Sequence, residues 1–200
     1  MKQIDLYMQC KVCFKEEKAF SFSKRFICQG CFKQLEVIYK KFKLEGIKIV
    51  ALYSYNDYFR SLLYKFKACY DYELKSVFLD RFRQELKLKY WNYTLVCIPS
   101  NEIEDEKRGF NHVEEAFKEL GLPIKKVLYK NKSFKQSDRS KEERKLVKED
   151  LSIRNSECLT GRNILIVDDV MTTGETLKCA INLIKKTNAK KIKCLVLAKK

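Results

Sequence analysis

The alternation of apolar and polar positions changes period several times along the chain, and each change marks an element. Ile164-Leu165-Ile166-Val167 is a run of branched apolar residues, the pattern of a strand buried on both faces. After it, Leu177, Ala180, Ile181 and Ile184 recur at helical spacing, with Lys178, Asn182 and Lys185 on the opposite face. Thr94 to Ile98, Ile192 to Ala198 and Ile47 to Tyr55 read as further strands, and Lys126 to Tyr129 as a short one. Phe59, Leu62, Leu63 and Phe66 mark one helix. Leu74, Val77, Phe78, Phe82 and Leu86 mark another, and a third runs through Ala116, Phe117 and Leu120 with Asn111 as its N-cap. Nearer the start, Phe32, Leu35, Ile38, Tyr39 and Phe42 also have helical spacing, and Gly46 is placed to end that helix. Strand and helix alternate after residue 46. This predicts an α/β domain with a mostly parallel sheet and helices on both faces.

The first 45 residues follow a different logic. Cys10-Lys11-Val12-Cys13 and Cys28-Gln29-Gly30-Cys31 make a C-x₂-C-x₁₄-C-x₂-C pattern. Each pair forms a knuckle offering two thiolates, and two knuckles complete a tetrahedral Zn²⁺ site. Four protein ligands close the site, so the expected metal is structural. A redox-active C-x-x-C is the competing reading, and the doubling at ribbon spacing argues for metal. The predicted organisation is a zinc ribbon and connecting helix over 1–45, followed by the main domain over 46–200. The other cysteines (69, 97, 158, 179, 194) are scattered, as small buried apolar residues would be.

Composition adds a partner. The 200 residues carry 42 Lys and Arg against 26 Asp and Glu, a net charge of +16. Such an excess points to a polyanion, nucleic acid first. Lysine supplies most of it, and a solvated lysine surface is the alternative. Around Lys65 and Lys67, basic residues interleave with Tyr64, Phe66, Tyr70 and Tyr72; this suits single-stranded nucleic acid, and equally an amphipathic helix with snorkelling lysines. No apolar run reaches the roughly 18 residues of a membrane helix, and Met1 to Leu6 lacks a signal-peptide apolar region. A cytoplasmic protein without membrane insertion is expected, in which disulfides do not form.

The chemistry concentrates after Val167. Asp168 and Asp169 end the strand, and Thr172-Thr173-Gly174-Glu175-Thr176 leads into the helix. Ligands of open α/β sheets sit beyond the carboxyl ends of the strands. A loop feeding a helix N-terminus offers unpaired N–H groups and the positive end of a dipole, which suits a phosphate. The carboxylates would repel that phosphate and suit sugar hydroxyls or a hydrated Mg²⁺ instead. Together they describe a sugar phosphate. The metal-binding strand of a P-loop ATPase also ends in Asp-Asp, but none of the six glycines belongs to a G-x-x-x-x-G-K-[ST] string.

Ile164 to Leu177 closely resembles the phosphoribosyl-pyrophosphate (PRPP) motif of type I phosphoribosyltransferases. The resemblance implies a sheet of that type. It gives Asp168 and Asp169 the ribose hydroxyls, and Thr172, Thr173, Gly174 and Thr176 the 5′-phosphate, with Mg²⁺ accompanying PRPP. Glu175 stands beside them where a small residue is common. A second strand end, Pro99-Ser100, precedes Lys107-Arg108-Gly109-Phe110-Asn111-His112. Ser100 and Arg108 are candidates for the pyrophosphate, Arg108 because its fork binds bidentately. His112, the only histidine, fits a surface or packing residue better than a general base.

An Arg-Gly-Phe-Asn element ahead of a PRPP motif, with a four-cysteine ribbon at the start, resembles the ComF competence family of the ComFC type. Its members often have glutamine where this chain has His112. Residues 130–149 are highly charged, and the resemblance assigns Gln136 and Arg144 to a loop closing over the pocket. Lys130, Lys132, Lys135 and Arg139 join Lys65 and Lys67 as DNA candidates. The implied function is an accessory role in natural transformation: DNA uptake, binding of incoming single-stranded DNA, and partnership with uptake or recombination proteins of the competence machinery. The alternative is an active phosphoribosyltransferase moving phosphoribosyl from PRPP to an unidentified acceptor.

Overall fold

Strand β8 (Asn163–Met171) shows why the sheet forms. Its Leu165 and Val167 enter one apolar cluster, and its Ile164 and Ile166 enter another on the opposite face. The same two-sided alternation runs through β4 (Ile47–Ser54), β5 (Tyr93–Cys97) and β9 (Lys191–Lys199). A strand apolar on both faces is stable only between two layers. The structure is a computed structural model that describes residues 7–18, 26–130 and 151–200.

The central sheet has the order β3-β4-β9-β8-β5. Its last four strands are mutually parallel, and β3 (Val37–Leu44) pairs antiparallel with β4 at one edge. Two small antiparallel pairs stand apart: β1 (Tyr7–Gln9) with β2 (Glu16–Lys18), and β6 (Leu128–Lys130) with β7 (Leu151–Ile153). Helices α2 (Asp57–Ala68), α3 (Arg83–Lys89) and α5 (His112–Lys118) bury Leu62, Leu86 and Phe117 in one cluster. Helix α6 (Glu175–Lys185) and the β6–β7 pair cover the other face through Leu177, Ile181, Leu128 and Leu151. Two short helices, α1 (Gln29–Gln34) and α4 (Glu102–Arg108), complete the set among the described residues. The α/β class and the mostly parallel sheet are as the pattern predicts.

Three local expectations are corrected. The helix expected through Phe42 ends at Gln34, and the chain continues as β3. Ile38, Phe42 and Leu44 pack against the second cluster from this strand. Glu45 (φ 50°) and Gly46 (φ 76°) form the two-residue turn to β4, both in the left-handed region that a tight hairpin demands. Gly46 is therefore a hairpin residue and not a helix cap. The helix expected from Leu74 to Leu86 is a 3₁₀ turn over Tyr72–Ser76, irregular turns, and then α3. The Phe78 carbonyl accepts from the Tyr53 hydroxyl at 2.9 Å, and Asp80 accepts from the Phe26 amide at 3.1 Å, so tertiary partners displace the helical ladder. Cys69, expected to be buried, is exposed.

Candidate functional site

The carboxylates lie on the strand itself rather than at its tip. β8 stays paired with β9 through Met171↔Lys199, beyond Asp168 and Asp169. Each carboxylate closes on the backbone: Asp168 Oδ1 accepts from the Asp169 amide at 2.9 Å, and Asp169 Oδ1 from the Val170 amide at 2.6 Å. The two behave oppositely. Burial pushes the Asp168 carboxyl well above the usual range, and the neighbouring Asp169 charge adds to this. Burial acts on Asp169 too, but the hydrogen bond from His112 and the Lys67 ammonium outweigh it and hold that carboxyl far below the usual range. One group is thus a fixed anion and the other a reluctant one.

One cation and a histidine hold Asp169, and a second cation stands behind the histidine. Lys67 Nζ on α2 lies 3.7 Å from Asp169 Oδ2, and His112 Nε2 at the start of α5 lies 2.8 Å from the same oxygen. His112 Nδ1 is 2.7 Å from Arg108 Nη1. A guanidinium only donates, so Nδ1 accepts and the ring proton sits on Nε2, facing Asp169. Arg108, its side chain only 2 % exposed, also lies 3.3 Å from Asp105 Oδ1. Asp105 Oδ2 accepts from the Ser100 hydroxyl and from Asn111 Nδ2, the latter at 2.7 Å. A continuous polar chain therefore runs from the loop after β5 to the carboxylate on β8. Arg108 stands inside that chain and faces away from open solvent. His112, read from sequence as a surface or packing residue, is its central link; 57 positions separate it from Asp169, and no local pattern signals the contact.

His112→Ala is expected to leave Arg108 without its acceptor and Asp169 without its donor. A buried group left unpaired costs about 1–3 kcal/mol, or roughly 2–10 °C in melting temperature for a chain of this size. His112→Gln presents an amide oxygen to Arg108 and an amide N–H to Asp169, and should recover most of that loss. Thermal denaturation of the two variants decides it: equal loss in both contradicts the bridging geometry.

The loop after β8 leads directly into α6. Thr172, Thr173, Glu175 and Thr176 are exposed, while Gly174 is buried. Gly174 is the N-cap of α6 in the left-handed region (φ 82°), and no side chain caps the helix. A Cβ on Gly174 would come within 2.8 Å of Met171 Cε. The first-turn amides of α6 are left for an external acceptor, with only a 3.5 Å contact from the Glu175 amide to Thr173 Oγ1. An exposed hydroxyl loop at a helix N-terminus, beside a carboxylate pair, has the chemistry to hold an anion and a polyhydroxylated group together.

Two clefts flank this arrangement. One of about 430 Å³ lies beyond β5 and is lined by Ser100, Asp105, Asn111 and Lys126. The other, of about 660 Å³, lies between α2 and α4 and is lined by Tyr55, Arg60, Tyr64, Lys67 and Arg108. Lys65 on α2 and Lys130 on β6 are exposed. Gln136, Arg144, Lys132, Lys135 and Arg139 lie outside the described residues.

At the other end of the chain, the Sγ atoms of Cys10, Cys13, Cys28 and Cys31 lie within 4.8 Å of one another. Cys13 and Cys28 are 3.7 Å apart, and a tetrahedral thiolate site with zinc–sulfur bonds of 2.3 Å calls for about 3.8 Å. Burial pushes the Cys31 thiol up to about 12, against a hydrogen bond with Tyr58 and with Cys28 adding to the rise, so four sulfurs packed this closely need a cation to ionise together. The Cys28 Sγ accepts from the Cys31 amide at 3.3 Å, which fixes the second knuckle. The donor set fits a four-coordinate metal such as zinc.

Fold and site together define a class. Residues 78–200 match the model of the phosphoribosyl transferase domain, and the chain belongs to that family. Among curated proteins it is similar to Competence protein ComFC of Streptococcus pneumoniae, 29 % identical over 154 residues, covering 77 % of this chain and 69 % of that one. It is also similar to Competence protein ComFC of Bacillus subtilis, 33 % identical over 132 residues, covering 65 % of this chain and 55 % of that one. The chain thus spans little more than half the length of the Bacillus relative. A solved hypoxanthine phosphoribosyltransferase of Staphylococcus aureus is 16 % identical, with 62 % of this chain and 61 % of that one covered and a TM-score of 0.40. A likeness that distant carries no weight for function.

Proposed function

We propose that this protein is a cytoplasmic competence accessory factor that handles incoming single-stranded DNA during natural transformation and carries a pocket for PRPP or another phosphoribosyl ligand. The observation that carries the reading is the carboxylate pair on β8 beside an uncapped helix N-terminus. In it, Asp168 and Asp169 accept the ribose hydroxyls. Thr172, Thr173, Thr176 and the amides of α6 take the 5′-phosphate, with Gly174 allowing close approach and Glu175 bordering the site. Ser100 lies toward the pyrophosphate, and Arg108 supports the pocket from behind through His112. Gln136 and Arg144 belong to the closing loop. Mg²⁺ would accompany PRPP, and Zn²⁺ would be structural at Cys10, Cys13, Cys28 and Cys31. With the ribbon segment at 1–45 and the phosphoribosyltransferase-like domain at 46–200, the first lends its last strand, β3, to the sheet of the second. The competence role follows from similarity to the two ComFC proteins, and the charge of +16 agrees with a DNA partner. Lys65, Lys67, Lys130, Lys132, Lys135 and Arg139 are the candidate DNA contacts read from sequence.

The test is binding of a labelled single-stranded oligonucleotide across a salt series, with and without Mg²⁺-PRPP. Micromolar or tighter binding that PRPP shifts supports the reading, and absence of binding at moderate salt removes it. One observation favours the second reading, an active phosphoribosyltransferase. The cleft between α2 and α4 shares Lys67 and Arg108 with the Asp169 network and leaves room for an acceptor. Pyrophosphate release from PRPP in the presence of candidate nitrogen acceptors separates the two.

A further inference from the structure

We infer that the amino end of the central sheet, opposite the candidate pocket, carries a single-stranded nucleic-acid site built from Lys41, Lys43, Lys48, Lys89 and Lys193. The inference rests on the nucleic-acid reading above and gives it a location separate from the candidates read from sequence.

The register of the sheet makes the case. Lys43 on β3 pairs directly with Lys48 on β4. Ile49 pairs with Cys194, so Lys48 is level with Lys193 on β9. Three lysines therefore occupy one row across three neighbouring strands, about 4.8 Å apart from strand to strand and on one face. Like charges directly opposite across a ladder are destabilising, so the row is a cost to the fold. Lys89, at the end of α3, closes the row from above. The cleft they line has a volume of about 400 Å³; among the described residues lining it, five of nine are lysines and none is acidic.

Among the described residues, these lysines form no ion pair. Lys118, Lys126 and Lys178 each have a carboxylate within 3.3 Å, whereas none of the five forms an ion pair with a described residue. The ammoniums of Lys89 and Lys193 both sit 5.4 Å from the Tyr90 ring centre, and Lys89 donates to the Tyr39 hydroxyl at 3.2 Å. Glu85, the acid that acts on Lys89, is engaged by that same hydroxyl. Burial lowers the Lys89 ammonium below its usual range and Lys41 and Lys193 lower it further, against the pull of Glu85. Lysines on an edge strand also deter unwanted pairing. That accounts for Lys41 and Lys43, but not for Lys89 on a helix or Lys193 on an interior strand. A row of unpaired cations in a recess fits successive phosphates of a flexible strand, whereas a duplex presents a stiff convex surface.

The row lies about 10 Å along β9 from the level of Asp168, taking three residues at the strand rise. Variants in the row leave the pocket residues untouched. The experiment measures binding of a labelled oligothymidylate to the full chain over a salt series. The test variant is Lys43→Gln/Lys48→Gln/Lys193→Gln. The control is Lys15→Gln/Lys33→Gln/Lys186→Gln, three exposed lysines outside the row with the same change in charge. The test variant should lose about 2 from the slope of log affinity against log salt, and bind about a hundredfold more weakly at 0.1 M salt. The control should change severalfold at most. Relief of like charges should leave the melting temperature of the test variant equal or higher, which excludes misfolding as the cause. Equal losses in test and control, or none in the test variant, overturn the site while leaving the nucleic-acid reading in place. No binding by the unmodified protein overturns both. Equal competition by a duplex of the same length overturns the single-strand assignment.

Discussion

Asp168→Asn is expected to stabilise the fold while weakening phosphoribosyl binding. The Asp168 carboxyl is pushed up by burial and by the adjacent Asp169. A carboxyl whose pKa is higher in the folded chain than in the unfolded one holds its proton more tightly when folded. Its ionisation therefore subtracts stability as pH rises above about 4, and the cost is absent in strong acid. Asparagine keeps the oxygen that accepts from the Asp169 amide and removes the charge. The melting temperature of the variant should exceed that of the unmodified protein near neutrality, by about 2–4 °C for each kcal/mol relieved, and the gap should close toward pH 4. Affinity for Mg²⁺-PRPP should fall by about tenfold to a hundredfold, the worth of a charged acceptor. Calorimetric titration and thermal melts at several pH values check both halves. A stabilised variant with undiminished affinity would show that Asp168 serves no ligand of this kind.

Removal of the metal should unfold more than the ribbon. Cys10, Ile27, Cys28 and Cys31 belong to the same apolar cluster as Phe59, Phe78 and Leu86. The Phe26 amide donates to Asp80, and Lys11 pairs with Glu73 at 2.7 Å, so the knuckles are tied to the segment between α2 and α3. Metal binding and folding are coupled in such sites. Cys28→Ser, or extraction of zinc by a strong chelator, is expected to lower the melting temperature of the whole chain by roughly 10 °C or more in a single transition. Calorimetry with metal analysis at one zinc per chain tests this. A small early transition with the main one unmoved would mean that the ribbon folds apart from the sheet.

The sequence made some of this legible and hid the rest for identifiable reasons. β8 and α6 were clear because the period switches from a continuous apolar run to helical spacing within a few residues. The cysteine cluster was clear because spacing alone specifies it. β3 was missed because Phe32, Leu35, Ile38, Tyr39 and Phe42 imitate a helix. A register shift between Val37 and Lys40, with Tyr39 at φ 39°, spoils the strict alternation a strand would show. Val37-Ile38-Tyr39 and the Glu45-Gly46 turn were the available signals. Arg108 reads from sequence as a pyrophosphate candidate; its contact with His112, and through it with Asp169, is purely tertiary and has no local signal. The lysine row was invisible because register across three strands is not written in any one of them.

The edge strand β3 has a further consequence. It joins the cysteine-bearing segment to the sheet with no spacer: Ser54 donates its amide to Glu36, and Asn56 donates its side-chain amide to Gln34. A cut before Ile47 would carry away β3, strip the flank of β4 and open the core where Leu35 sits. The cysteine segment is thus no detachable cassette. Recombination could exchange it between relatives only together with a matching edge strand, so the two parts are constrained to be inherited as one.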